Sequence, residues 1–379
     1  MNSHLHPHDQ LRRISHRPKL LTALIGLSLF CSVAQAQEFS VMGFGSFVGA
    51  KLMEGDGYIA NFPNLGIYGK NGSTAFGPTD HSWLNPESRL GLQGIAKIND
   101  STKVTGQMMV RGTANYSPNV EWFYLSHELN DKADIQIGKM RLPVYMFSDK
   151  MDVGFAYPWV RVPSDTYSLD SVNYSGARLN YVLRHPGTNV RFSLWSGTQD
   201  DQNSKLMSYL FDTRIDRKHR FTGIVADLTH GDGQIRVSYT TDAMRQSTPN
   251  PAMGFRNENF DEVFIDVAGQ YQFGDLTLMG EWNQDKPFYK SWYLSAIYQM
   301  GRYAVYGTYS RFILDEPWEK HNQTSLGIKY DLAGNMALKM DITRFRDQGM
   351  NPFTGRPNPV IKIQPGHATL VTVALDFVF

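Results

Sequence analysis

The chain of 379 residues holds one cysteine, Cys31, and its 37 Lys plus Arg nearly cancel its 36 Asp plus Glu. A lone thiol excludes an internal disulfide framework, and a formal charge of +1 excludes the one-signed field of a nucleic-acid-binding surface. Apolar runs of the roughly 18 residues that a membrane-crossing helix needs are missing, so a polytopic helical membrane protein is excluded as well. Neither G-x-S-x-G nor H-E-x-x-H occurs, and His81, His127, His185, His219, His230, His321 and His367 are scattered, so the sequence implies no cofactor and no metal. Ser126 and His127 are adjacent in a strand pattern and point to opposite faces, which counts against a hydrolase.

The chain begins with an export leader. Arg12, Arg13, Arg17 and Lys19 precede an apolar stretch from Leu20 to Val33, followed by the small-residue site Ala34-Gln35-Ala36. Residues 1–36 read as a signal peptide and 37–379 as the mature domain. Cys31 follows Phe30, not the small residue that lipidation wants.

From Gln37 onward helical periodicity is nearly absent, and segments of about ten residues alternate in polarity instead. In the last, Val371, Val373, Leu375, Phe377 and Phe379 share one face, and Thr372, Ala374, Asp376 and Val378 the other. Short turns such as Gly231-Asp232-Gly233 and Ala333-Gly334-Asn335 alternate with longer loops at about 50–86, 114–119, 144–171, 200–220, 244–261, 285–288, 314–322 and 347–367. Seven turns and eight loops join sixteen strands.

An even-numbered antiparallel sheet with one apolar and one polar face closes on itself, with lipid outside and water inside. The aromatics Tyr181, Phe192, Tyr271, Phe273, Tyr298, Tyr330, Phe377 and Phe379 fall near the short-turn ends, where an interfacial girdle belongs. The fold class is therefore all-β, a 16-stranded antiparallel transmembrane barrel.

Gly138-Lys-Met-Arg-Leu-Pro-Val-Tyr-Met-Phe-Ser-Asp149, Asp152-Val-Gly-Phe-Ala-Tyr-Pro-Trp-Val-Arg161, Glu87-Ser-Arg-Leu-Gly-Leu-Gln93 and Val120-Glu-Trp-Phe-Tyr-Leu125 carry a resemblance. With the alternating strands and the terminal Phe379, the mature chain resembles a gammaproteobacterial family of Gram-negative outer-membrane porins. The resemblance implies a water-filled barrel, usually a homotrimer, with periplasmic termini and a third external loop folded into the lumen. Loop 144–171 stands third, and Met146, Phe147, Met151, Phe155, Tyr157 and Trp159 suit packing against a barrel wall better than exposure. The Gly-rich loop 50–86 reads as mobile surface in preference to a lid or subunit latch.

The expected inner face carries Arg89, Lys97, Arg111, Lys139, Arg141, Arg178, Arg191, Arg236, Lys329 and Lys339, against Glu128, Asp227, Asp266, Glu281, Asp341 and Asp376. Such a wall favours anions weakly, unless its charges pair off across strands. Asp149, Asp152, Arg161 and Asp165 are the expected constriction charges, with Arg161–Asp165 an alternative salt bridge, and Arg89, Lys139, Arg141 and Arg178 the expected pore wall.

The reading is a passive channel for small hydrophilic solutes and ions, seated in outer-membrane lipid and lipopolysaccharide, without nucleic-acid partners. An anion-selective channel with a true site for phosphate or a carboxylate is the alternative, and a barrel-anchored adhesin or receptor the third.

Overall fold

The computed structural model describes residues 38–55, 57–59, 66–69, 72–75, 87–169, 171–204, 207–208, 213–250, 254–315, 320–348 and 366–379. The expected signal peptide and Cys31 lie outside these residues, as do most of loop 50–86 and of loop 347–367. The barrel strands are β1 (Glu38–Glu54), β2 (Arg89–Asn99), β3 (Thr102–Arg111), β4 (Asn119–Asn130), β5 (Ala133–Arg141) and β6 (Asn173–His185). They continue as β7 (Thr188–Asp201), β8 (Asp216–His230), β9 (Gly233–Asn250), β10 (Gly254–Phe273) and β11 (Leu276–Lys286). The circuit ends with β12 (Tyr289–Met300), β13 (Tyr303–Leu314), β14 (Lys320–Ala333), β15 (Met336–Asp347) and β16 (His367–Val378).

Each strand pairs antiparallel with its sequence neighbours, and β1 pairs with β16, so the sheet closes. A closed sheet leaves no backbone edge unpaired in lipid. At the seam Phe379 exchanges both backbone hydrogen bonds with Gly43, at 2.7 and 2.9 Å. Its ring covers Gly43 so closely that a Cβ there would lie 2.2 Å from the ring tip, so a larger residue would require the Phe379 side chain to move aside.

Alternation inverts the usual burial. Leu294, Leu326, Phe273 and Phe379 point outward and are exposed, whereas Asp266, Lys339, Thr372 and Asp376 are inward and 0% exposed. Outward aromatics pair near the turns, Tyr271 with Phe273 at 4.4 Å and Tyr303 with Tyr330 at 4.6 Å between ring centroids. Gly231 and Gly274, at φ 51° and 58°, supply the left-handed backbone that two of the tight turns require.

The hairpin β9–β10 reaches further than its sequence suggests, with pairing from Gly233↔Tyr271 out to Asn250↔Gly254. Its outer end, with Arg245, Asn257 and Glu258, is polar on both faces and reads as loop, but the main-chain ladder does not depend on side-chain polarity. Part of loop 50–86 is likewise ordered, as a three-stranded sheet of Gly57–Ile59, Gly66–Gly69 and Gly72–Ala75.

Candidate pore constriction

Residues 142–172, joining β5 to β6, form the third of the loops at the end of the barrel opposite the termini, and their side chains meet inward-facing side chains of the wall. Trp159 packs edge-on to Phe147 at 5.5 Å and to Tyr293 of β12 at 5.7 Å, and its indole N–H donates to Thr308 Oγ1 at 2.9 Å. Met146, Phe147, Met151, Tyr157 and Tyr167 are buried with it, each apolar side chain contributing roughly 1.5–3 kcal/mol. Phe155 stays half-buried at the loop edge, beneath Lys329 Nζ at 4.9 Å.

Polar pins fix the rest of the loop. Lys339 Nζ donates to the carbonyls of Gly154, Tyr157 and Trp159 at 2.6, 2.7 and 2.7 Å, and pairs with Asp376 at 2.8 Å. Arg161 forms a two-pronged pair with Glu87, both contacts at 2.9 Å, and approaches Asp341 at 3.6 Å. Asp165 accepts from Ser310 Oγ at 2.8 Å and from Gln323 Nε2, and lies 3.0 Å from His321 Nδ1. Asp152 meets Arg111 Nη2 at 2.8 Å and Arg141 Nη2, while Arg89 Nε donates to its carbonyl at 2.8 Å. Burial raises the Asp152 pKa, but Arg111, Arg141 and Arg89 outweigh burial and hold the carboxyl well below the usual carboxylate range.

These contacts correct the sequence reading. Asp152, Arg161 and Asp165 are 3%, 6% and 1% exposed, so they anchor the loop and do not line an aqueous constriction. Arg161 takes Glu87 and Asp341, not Asp165. The loop meets wall on several sides, and charges that look solvent-bound in sequence find buried counter-charges there.

Asp149 alone of the four is exposed, beside the exposed Lys150 on the turn Ser148–Lys150. The chain leading into the turn is pinned to β9, where Arg236 Nη1 donates to the Tyr145 carbonyl at 2.5 Å and Ser238 Oγ to the Val144 carbonyl at 2.8 Å.

The expected wall residues divide as well. Arg89 and Arg141 are buried in the anchor. Lys139 is on the outer face: its register partners are Phe123, 55% exposed, and the exposed Ser175, and its ammonium reaches the Val120 carbonyl. Alternation within β5 accounts for it: Ile137, 53% exposed, is outward, and Lys139 two positions on shares its face; in β4, separately, Glu121 and Trp122 both turn inward between the outward Val120 and Phe123.

Arg178 is inward and half-buried. Its Nη2 donates to the Arg141 carbonyl at 2.6 Å, its Nε to the Tyr174 hydroxyl at 3.2 Å, and its guanidinium lies 5.9 Å from the Tyr174 ring centre. Arg191 is inward and exposed. Neither has a carboxylate in ion-pair range among the described residues. Most other inner-face charges pair off, as Arg236 does with Asp227 at 2.6 Å and Lys329 with Asp331 at 3.1 Å.

Sequence reasoning missed Glu87, Glu121 and Lys150. Glu121 had a signal in the apolar spacing of Val120 and Phe123, which breaks alternation; Glu87 had none beyond its place beside Arg89. A Ser171–His219–Asp242 relay, 3.1 and 2.5 Å, was missed too; Ser171 is 2% exposed, and the relay ties the loop's outgoing leg to β8 and β9.

Comparison with known proteins agrees with this architecture. The family model for Gram-negative porins matches residues 21–349, and the chain belongs to that family. No curated protein matches. Among solved structures, the outer-membrane channel DcaP of Acinetobacter baumannii is 12% identical with a TM-score of 0.58, over 90% of this chain and 97% of that one. The anion-selective porin of Comamonas acidovorans is 17% identical with a TM-score of 0.52, over 90% and 100%. OmpT of Vibrio cholerae is 12% identical with a TM-score of 0.54, over 90% and 98%, and an in-vitro folded OmpT is described as a trimer. At these identities the likeness is one of fold. The protein is thus an outer-membrane porin-family barrel, a fold whose members are typically channels rather than enzymes.

Proposed function

We propose that the protein is a passive, weakly anion-favouring diffusion channel for small hydrophilic solutes, exported with cleavage of residues 1–36 and assembled as a homotrimer in outer-membrane lipid and lipopolysaccharide. The observation that carries the selectivity is the imbalance along the open side of the loop: Arg178, Arg191 and Lys150 have no carboxylate in ion-pair range among the described residues, against the exposed Asp149 and the half-buried Asp134, which accepts from Asn180 Nδ2 at 2.8 Å. Paired charges wet a wall without biasing it; unpaired ones set the sign of its field.

Arg178, held by Tyr174 and the Arg141 carbonyl, also favours a second reading in which a carboxylate or phosphate binds there. Single-channel recording of the refolded protein across a salt gradient separates these. Open-channel current with a modestly anion-favouring reversal potential, shifted toward cations in Arg178→Gln/Arg191→Gln, is the expected result. An unshifted potential overturns the selectivity, a closed membrane overturns the channel, and flux that saturates with one anion moves the assignment to the second reading.

A further inference from the structure

On the outer face of β9 to β14 the apolar belt is hollowed into a groove of about 890 Å³. Its sides are the outward Ile235, Tyr271, Leu278, Leu294, Tyr309 and Leu326. Its floor is low because the outward positions there carry at most a methyl, with Gly269 in register with Gly280 and Ala296 in register with Gly307. A Cβ on Gly269 would meet nothing closer than the Gln234 carbonyl at 3.7 Å, so backbone crowding does not call for glycine at that position.

Cations begin where the groove ends. Towards the end of the barrel that carries the third loop, the groove finishes at Tyr309 and Thr324, which are register partners, and Thr324 is in register with Arg344. Two residues further along the same face the row is Trp292, Arg311, Asn322 and Arg346, and two beyond that it is Lys290, Ile313 and Lys320. Each cation neighbours a buried inward residue on its own strand, as Arg311 does Phe312 and Arg346 does Phe345, so all five point away from the lumen. None of the five has a carboxylate in ion-pair range among the described residues: Glu54, in register with Thr369 beside Arg344, is paired with His367 at 3.0 Å, and Asp315 just past β13 is exposed.

Long basic side chains at the edge of an apolar belt lay their stems along it and hold their charge at the level of the lipid headgroups. A guanidinium also offers phosphate a planar, two-pronged fork. We propose that this face holds one molecule of lipid A, the phosphorylated, multiply acylated anchor of lipopolysaccharide, with its phosphates on Arg311, Arg344 and Arg346 and an acyl chain in the groove. The charge favours this occupant over a second copy of the chain, and the spread of cations over four strands favours a headgroup with two phosphates over one with a single phosphate. The inference rests on the outer-membrane reading, in which the end opposite the termini faces the lipopolysaccharide leaflet, and adds to it a fixed lipid and the face that binds it.

The test is native mass spectrometry of the refolded protein, released from neutral-detergent micelles after incubation with diphosphoryl lipid A or with phosphatidylglycerol. One lipid A per chain is expected, retained at least tenfold more tightly than phosphatidylglycerol. Arg311→Gln/Arg346→Gln and the groove-filling Gly269→Leu, each shown to be folded by circular dichroism and protease resistance, should each weaken retention at least fivefold. Arg220→Gln/Arg245→Gln, which removes two exposed outward cations at the same end of β8 and β9 but away from the groove, should stay within twofold of wild type. Equal retention of the two lipids, no retained lipid, or an equal loss in the β8–β9 pair overturns the proposal, and the first two outcomes need only the wild-type chain. An oligomer that dissociates in Gly269→Leu would make this face a subunit contact and overturn it too. Conductance is a separate readout, so failure here and failure of the channel reading are distinguishable.

Discussion

On the inner wall of β8 to β13 the inward positions include Phe221, Val225, Phe264, Tyr293 and Tyr306, and the third loop lays Tyr145, Trp159 and Tyr167 over them. On β4 to β7 the corresponding positions are Tyr124, Gln136, Arg178, Asn180 and Arg191, facing the exposed Asp149 and Lys150. The first wall is buried beneath the loop, its aromatics interleaved with the buried carboxyl groups of Asp242, Glu262, Asp266, Glu281 and Asp285; the second stays more open and polar. A barrel of this size therefore sets its opening less by strand number than by how much of the wall is given over to packing against the loop.

The largest expected effect comes from removing the packed half. Joining Asp149 to Tyr167 through a short Gly-Ser linker should raise single-channel conductance roughly twofold or more and admit larger solutes. Wild-type conductance in a folded deletion would break the comparison.

Next is the pin. Lys339→Met leaves Asp376 buried without its partner, and removing one member of a buried pair costs about 3–5 kcal/mol, read as a lower urea midpoint for the refolded barrel. A hydrophobic isostere that proves neutral would show that packing alone holds the loop.

Acid offers a graded version. Asp152 has a folded pKa below that of a free Asp, about 3.9, so its contribution is fully present above that value and is lost as pH falls through the lower folded pKa. Thermal unfolding of the wild type should therefore weaken below about pH 4, and Asp152→Asn should weaken stability at neutral pH and flatten that acid limb. An unchanged acid limb in Asp152→Asn would assign the acid loss to other carboxylates.

The smallest effect sharpens the second wall. Arg178→Gln should move the reversal potential toward cations, while Lys139→Gln, on the outer face, should leave it unchanged. A shift from Lys139→Gln would mean that β5 presents its other face.

Most of the architecture was legible in the chain. The outward Val371, Val373, Leu375 and Phe377 and the inward Thr372 and Asp376 stand as their alternation implied, because a strand repeats every two residues and lipid accepts only one of its two faces. Less of the constriction was legible. Lys139 shares the outward face of Ile137, and only Arg141, the last residue of β5, turns back into the buried anchor, so reading Lys139 and Arg141 as one inward face misplaced the lysine.

The sequence by itself determined the strand count, most of the faces, the turn positions and the aromatic content that draws the third loop inward, since each follows from chemistry within about ten neighbouring residues. Only the tertiary structure decided what the charges do. Arg161 meets Glu87 across 74 positions and Thr372 across 211, and Lys339 meets the Gly154 carbonyl across 185. A charge's partner is set by which distant segments closure of the barrel brings together, and in a buried setting that partner separates an anchor from a pore-lining residue.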